Sequence, residues 1–130
     1  MTIKVSSAKA KGRRLQQWVA QQIADVIGLE CGADKPIESR PMGQHGVDIR
    51  LEKKALRRFP FSVECKAQES WAVPNWIKQA RENRIKGTMW LLIAKRSRDT
   101  PVVIMEAEDF FKLYLHAMDS FTKKKRSANI

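Results

Sequence analysis

The run Thr88–Ala94, TMWLLIA, constrains this chain more than any other stretch of it. It is the longest uncharged apolar segment, and it falls far short of the roughly 20 residues that a membrane helix requires. Preceded by Gly87 and followed by the polar KRSRDTP, it reads as a β-strand covered on both faces, the kind found at the centre of a mixed or parallel sheet. Such a strand needs helices on the faces of its sheet.

The helices are legible. From Lys9 to Ile27, Leu15, Val19, Ile23, Val26 and Ile27 recur at helical spacing, with Arg13, Gln17, Gln21 and Asp25 on the other side, and Gly28 is the expected stop. Pro74 suits the first turn of a second helix, where a missing N–H is no loss; this helix should run to about Lys86 and end at Gly87. A third is expected over Glu106–Met118, packing Phe110, Phe111, Tyr114 and Met118. Strands are expected around Ile37–Arg40, at Val47–Leu51 after PMGQHG, at Phe61–Ala67 after the basic turn KKALRRFP, and at Val102–Met105 near the sheet edge,. The second and third of these read as a hairpin or meander. The expected architecture is α/β, an αβββαβ core with a small mixed sheet flanked by helices. Residues 1–118 would form one domain and 119–130 a frayed basic tail.

Charge narrows the partners. Lys+Arg 25 against Asp+Glu 14 leaves +11, enough to draw the chain to a polyanion. Positive residues bunch at Lys9, Lys11, Arg13 and Arg14, at Lys53, Lys54, Arg57 and Arg58, at Lys95, Arg96 and Arg98, and over Lys123–Arg126. Clusters that flank the expected elements suit nucleic acid; anionic lipid, or a merely soluble basic protein, is the other reading. The opening MTIKVSSAKAKGRR lacks the apolar segment of a secretory signal, so the cytoplasm, of a cell or of a phage-infected host, is the expected location. Cys31 and Cys65 are expected to be reduced apolar fillers, with Cys65 pointing into the core.

Within FSVECKA, strand alternation puts Val63, Cys65 and Ala67 on one face and Ser62, Glu64 and Lys66 on the other. Glu64 and Lys66 therefore stand side by side. If Asp48 joins them from the adjacent strand, two carboxylates converge near an ammonium group, and a hard divalent cation is the usual way to hold them there. Mg²⁺ in such a place suits phosphodiester hydrolysis, with the lysine orienting the nucleophile or neutralising developing charge. Alone, ExK reads more readily as an exposed ion pair worth under about 1 kcal/mol, because the tripeptide is common by chance.

GVDIRL followed by FSVECKAQ resembles the D…(D/E)xK signature of the PD-(D/E)xK nucleases, the restriction-endonuclease-like fold, and the expected order of elements agrees from Lys11 to about Met105. The resemblance implies Asp48 and Glu64 as metal ligands and Lys66 as the catalytic lysine, with the Cys65 carbonyl completing the coordination. It also implies that Gln79, in WIKQARENR, orders the water or a phosphate near that lysine. More narrowly, KGRRLQQWV and SRPMGQHGVDI resemble segments of the archaeal-type Holliday-junction resolvases, which have glutamate where this chain has Gln16. On a helical wheel Gln16 shares the face of Val19, Ile23 and Ile27, so its amide should point inward; it is either a weaker, uncharged metal ligand or a helix-flank glutamine. Those relatives imply a homodimer, for which LYLHAM and VVIM are candidate surfaces.

Other residues carry paired readings. Lys11 and Gly12, with Arg13 beside them, are expected to open the first helix, where free N–H groups suit a phosphate. Ser39 and Arg40 either touch the scissile phosphate or lie on the surface. His45 is a proton acceptor or an incidental loop histidine. Trp71 is placed to meet a splayed base, whereas Trp76 and Trp90 belong to the core; Arg81 and Arg84 face solvent or the DNA backbone. The expected function is a Mg²⁺-dependent endonuclease, with Mn²⁺ able to substitute, acting on Holliday junctions or other branched DNA and needing no membrane or small-molecule cofactor. The alternatives are a phage or mobile-element nuclease on duplex DNA or strand ends, a non-catalytic nucleic-acid-binding module of the same fold, and an interaction subunit that holds RNA.

Overall fold

The structure, a computed structural model, describes residues 2–41 and 46–128, with side chains over 7–41 and 46–125. In chain order the elements are α1 (Thr2–Ile27), β1 (Ile37–Ser39), β2 (Ile49–Leu51), α2 (Lys53–Arg58), β3 (Phe61–Ala67), α3 (Val73–Asn83), β4 (Met89–Lys95), β5 (Val102–Ile104) and α4 (Ala107–Ala128).

The apolar run forms β4, the middle strand of a mixed sheet ordered β3-β4-β5. It pairs parallel with β3, setting Glu64 opposite Leu92 and Lys66 opposite Ala94, and antiparallel with β5. A parallel pair needs a crossover, and α3 supplies it. Side-chain alternation then divides the core. Val63, Leu91 and Ile93 pack with Leu15, Val19 and Ile23 of α1 on one face, while Trp90, Leu92 and Ala94 pack with Trp76 and Ala80 of α3 on the other. Both faces of β4 are covered, which is why its sequence shows no polar alternation. Trp76 and Trp90 are core residues as expected, and both cysteines are free thiols.

Several boundaries differ from the sequence expectation, each for a physical reason. β1 and β2 form their own antiparallel pair, joining Ile37 to Leu51 and Ser39 to Ile49, so the meander expected of β2 and β3 is not made. The basic turn before β3 is instead the short helix α2, anchored by the fully buried Ala55. α3 stops at Asn83 rather than at Gly87, because the Ile85 N–H is captured by Ser62 Oγ at 2.9 Å and leaves the helical ladder. α1 begins at Thr2, which makes Lys11 and Gly12 interior helical residues with no free N–H groups to offer a phosphate,. Val26, assigned to the apolar face of α1, is 79% exposed.

The largest departure is α4. It continues ten residues past Met118 to Ala128, through a segment without glycine or proline, so the expected frayed tail is helical as far as it is described. Phe110, Phe111, Tyr114 and Met118 do not pack into the core; they are exposed, as are Leu113, Leu115 and Phe121. Among the described residues no helix is long and apolar enough to cross a membrane.

Candidate active site

The two sheets meet at Asp48. Its backbone N–H donates to the Val63 carbonyl at 2.9 Å, and its own carbonyl accepts from Arg40 N–H at 2.8 Å. Two residues further along β3 the ladder changes character, because the Cys65 N–H donates not to a backbone carbonyl but to Asp48 Oδ2, at 2.7 Å. A carboxylate has taken the place of a strand neighbour. β2 and β3 separate there, and the acid is held at the free edge of β3.

Glu64 lies on the adjoining face of β3, 3% exposed. Burial first, and then the charge of Asp48, push its carboxyl up to about 7. The Asn83 amide opposes them by donating to Glu64 Oε1 at 2.8 Å, and the positive charge of Lys66 opposes them further. Asp48 is also raised, by burial above all, against the pull of the Cys65 N–H and of the nearby Lys66 and Arg40 charges. The two carboxyl groups interact directly, which raises Glu64 and pulls Asp48 down. Burial and both neighbouring carboxylates push the Cys65 thiol upward, so it stays a neutral filler against the α1 face.

Asp48, Glu64 and Lys66 are thus brought together, with Lys66 half-buried and two residues beyond Glu64 on the same face of β3. Gln16 is 2% exposed on α1, the helix that packs over β3. Arg40 borders the site, one of its guanidinium nitrogens lying 3.2 Å from where a Cβ on Gly46 would stand; with φ at +93° as well, only glycine fits comfortably there,. Ser39, half-buried, ends β1 just before Arg40. His45 lies outside the described residues. Among the described residues no group of three or more His, Cys, Asp and Glu side chains gathers as a metal cluster, so any ion held here would have two carboxylates, completed by neutral oxygens.

The helix after β3 presents a different amide from the one expected. Gln79 is exposed, whereas Asn83, one turn later on the same face of α3, reaches Glu64 and also lies 3.4 Å from the Gly46 carbonyl. Its signal was available, since residues four apart share a helical face, but the sequence does not show where α3 ends. Trp71 is half-buried, packed 6.0 Å from the Trp76 ring and donating from Nε1 to the Gln68 carbonyl. Arg81 donates to Glu106 at 2.7 Å and lies over the Trp90 ring, which gives it an internal role beside α4. Lys11 bonds to Ser97 Oγ at 2.8 Å, and Arg13 is exposed.

What the arrangement can do follows from its charges. Two acids whose joint ionisation is disfavoured by burial and mutual repulsion, with a lysine beside them, can receive a hard cation and a phosphate together. A family model described as "Phage putative PDDEXK endonuclease" matches residues 7–129 of the chain. No curated protein and no solved structure matches it.

Proposed function

We propose that this chain, which belongs to the phage PDDEXK endonuclease family, is a metal-dependent DNA endonuclease whose reaction centre is Asp48, Glu64 and Lys66. The observation that carries this reading is the convergence of Asp48, tied through its Oδ2 to the Cys65 N–H, on the buried Glu64, with both carboxyls displaced upward by burial. A cation between them would stabilise both in the ionised form, and hard oxygen donors suit Mg²⁺, with Mn²⁺ able to replace it. The proposed ligands are the two carboxylates and the Cys65 backbone carbonyl beside Asp48, joined from the α1 side by the amide oxygen of the buried Gln16. When bound, such an ion polarises the phosphodiester and lowers the pKa of water.

The chain's own residues do the rest. The Cys65 N–H fixes one Asp48 oxygen and thereby orients the other. Asn83 fixes Glu64 in the same way. Lys66 places its ammonium where a phosphate oxygen gains charge, and Arg40 adds a second positive group at the Asp48 side,. On α3 the amide proposed to act near the reacting groups is Asn83 rather than Gln79. Ser39, Arg40, Lys11 and Arg13 are proposed to meet the DNA backbone.

The proposed substrate is branched DNA, foremost the four-way junction, supported by the likeness of KGRRLQQWV and SRPMGQHGVDI to resolvase segments. A symmetric cut requires two centres, and α4 supports a homodimer. It packs lightly on its own chain and exposes Phe111, Leu115 and Phe121 at 66%, 62% and 68%. Glu108 and Asp109 lie in its first turn and Lys123–Lys125 near its end, so antiparallel pairing of two copies sets acid against base. The proposed setting is the cytoplasm of a phage-infected cell.

The deciding experiment is cleavage of labelled four-way junction against linear duplex in Mg²⁺. Paired nicks across the junction with intact duplex support resolution. Equal degradation of both supports a general nuclease instead, and the absence of cutting in Mg²⁺ and Mn²⁺ supports a binding module.

A further inference from the structure

Away from the carboxylates, on the α1 side of the sheet, the structure holds a cleft of about 510 Å³ between α1, the end of β3 and the loop after β4. Five basic side chains line it, Lys11, Arg14, Lys95, Arg96 and Arg98, against one acid, Glu69. The acid is already engaged. It accepts from the Ser97 N–H at 3.0 Å and lies 3.8 Å from Lys11, which itself donates to Ser97 Oγ at 2.8 Å. This knot ties α1, the segment after β3 and the loop after β4 together and cancels the only negative charge. Arg14 and Arg98 make no ion pair among the described residues, so the cleft presents uncompensated positive charge.

Its floor is apolar. Leu15, Ala67 and Pro101 line it, with Trp18 standing 47% exposed beside them. Lys11, Arg14, Leu15 and Trp18 fall at helical spacing, which puts them on one stripe of α1. A large aromatic face left open beside unpaired guanidinium groups is what an unpaired base with its phosphates requires. Paired bases keep their faces stacked and cannot use it. The wall residue Ala67 directly follows Lys66, about 10 Å along β3 from Glu64 at roughly 3.3 Å per residue.

We propose that this cleft is a binding site for a single-stranded nucleotide of the DNA, its base against Trp18 and its phosphates on Arg14, Arg96 and Arg98. The assignment of DNA rests on the nuclease reading; the cleft itself does not involve the cutting residues. It makes the enzyme select DNA in which a strand leaves the duplex.

The test is binding, measured in EDTA at one stated salt concentration so that cleavage plays no part. The probes are a fluorescent duplex with a single-stranded overhang, the same duplex blunt-ended, and an RNA strand of the overhang sequence. Wild type should prefer the overhang over the blunt duplex by about tenfold, the size of one stacked base. Trp18→Ala should erase that preference and Trp18→Phe retain it. Should Trp18→Ala lose its helical circular dichroism, the exposed pair Arg14→Gln and Arg98→Gln serves instead, lowering the salt slope on the overhang by about 0.7 per lost contact. A wild type that does not distinguish overhang from blunt end, a preference undiminished in Trp18→Ala, an unchanged salt slope, or tighter binding of RNA than of the DNA overhang each overturns the proposal. Failure of the nuclease reading shows separately, as absence of cutting in Mg²⁺ by a protein that still binds overhangs.

Discussion

Asn83 Nδ2 lies 2.8 Å from Glu64 Oε1, joining the last turn of α3 to the middle of β3. That bond favours the ionised form of a carboxyl that burial and Asp48 push the other way. Asn83→Ala should raise the Glu64 pKa further and move the acid limb of the pH–rate profile upward. Activity at neutral pH should fall by about 10–100-fold, as for other groups that orient a ligand. A profile that keeps its wild-type position would remove Asn83 from the site.

Asp48→Asn keeps an oxygen for the Cys65 N–H and should fold normally. It removes the charge that helps raise Glu64, so Glu64 should titrate nearer its ordinary range. Cutting should drop by about 10²–10³-fold in this variant and in Lys66→Ala, the size of one lost electrostatic stabiliser, while junction binding persists in gel-shift measurements. Cutting at the wild-type rate by either variant excludes that residue from the chemistry.

The sign of the pH dependence follows from Glu64. Its folded-state value of about 7 stands above the ordinary 4.5, so between those values the folded chain holds more proton than the unfolded one. Without divalent ions, this group makes stability fall as pH rises through that window. A cation bound by the ionised pair competes with the proton, so the gain in Tm from Mg²⁺ should grow from about pH 5 to about pH 8. Thermal scans with Mg²⁺ and with EDTA at several pH values measure it. A pH-independent gain would contradict a metal held by these acids.

If α4 pairs with a second copy, a charge placed in its apolar face must separate the copies. The double change Phe111→Glu and Leu115→Glu, at two exposed positions, should leave helix content intact and convert a dimer to a monomer in sedimentation equilibrium. A wild type that sediments as a monomer at every concentration tested rules the interface out.

Leu92 is fully buried between the sheet and α3. Leu92→Ala should cost about 2–5 kcal/mol by loss of transfer energy and creation of a cavity, read from the shift in urea midpoint. A loss below about 1 kcal/mol would mean that this face is not close-packed.

The pattern of apolar residues dictates the layers. TMWLLIA has no polar face, so it had to lie between two helices, and Leu15, Val19, Ile23, Trp76 and Ala80 supply their inner sides. The sequence also paired Glu64 with Lys66, because strand alternation is a local property of the backbone. What those residues meet depends on the assembled fold. Asp48 reaches Glu64 because its carboxylate replaces a ladder acceptor for Cys65, and Asn83 rather than Gln79 meets Glu64 because the last turn of α3 is the one set against that residue. That Phe110, Phe111, Tyr114 and Met118 of α4 stay out of the core was likewise not legible, since a helical period marks an apolar stripe without saying what covers it,. Periodicity records each element's own burial pattern, whereas contacts between elements depend on bonds formed by residues far apart in the chain.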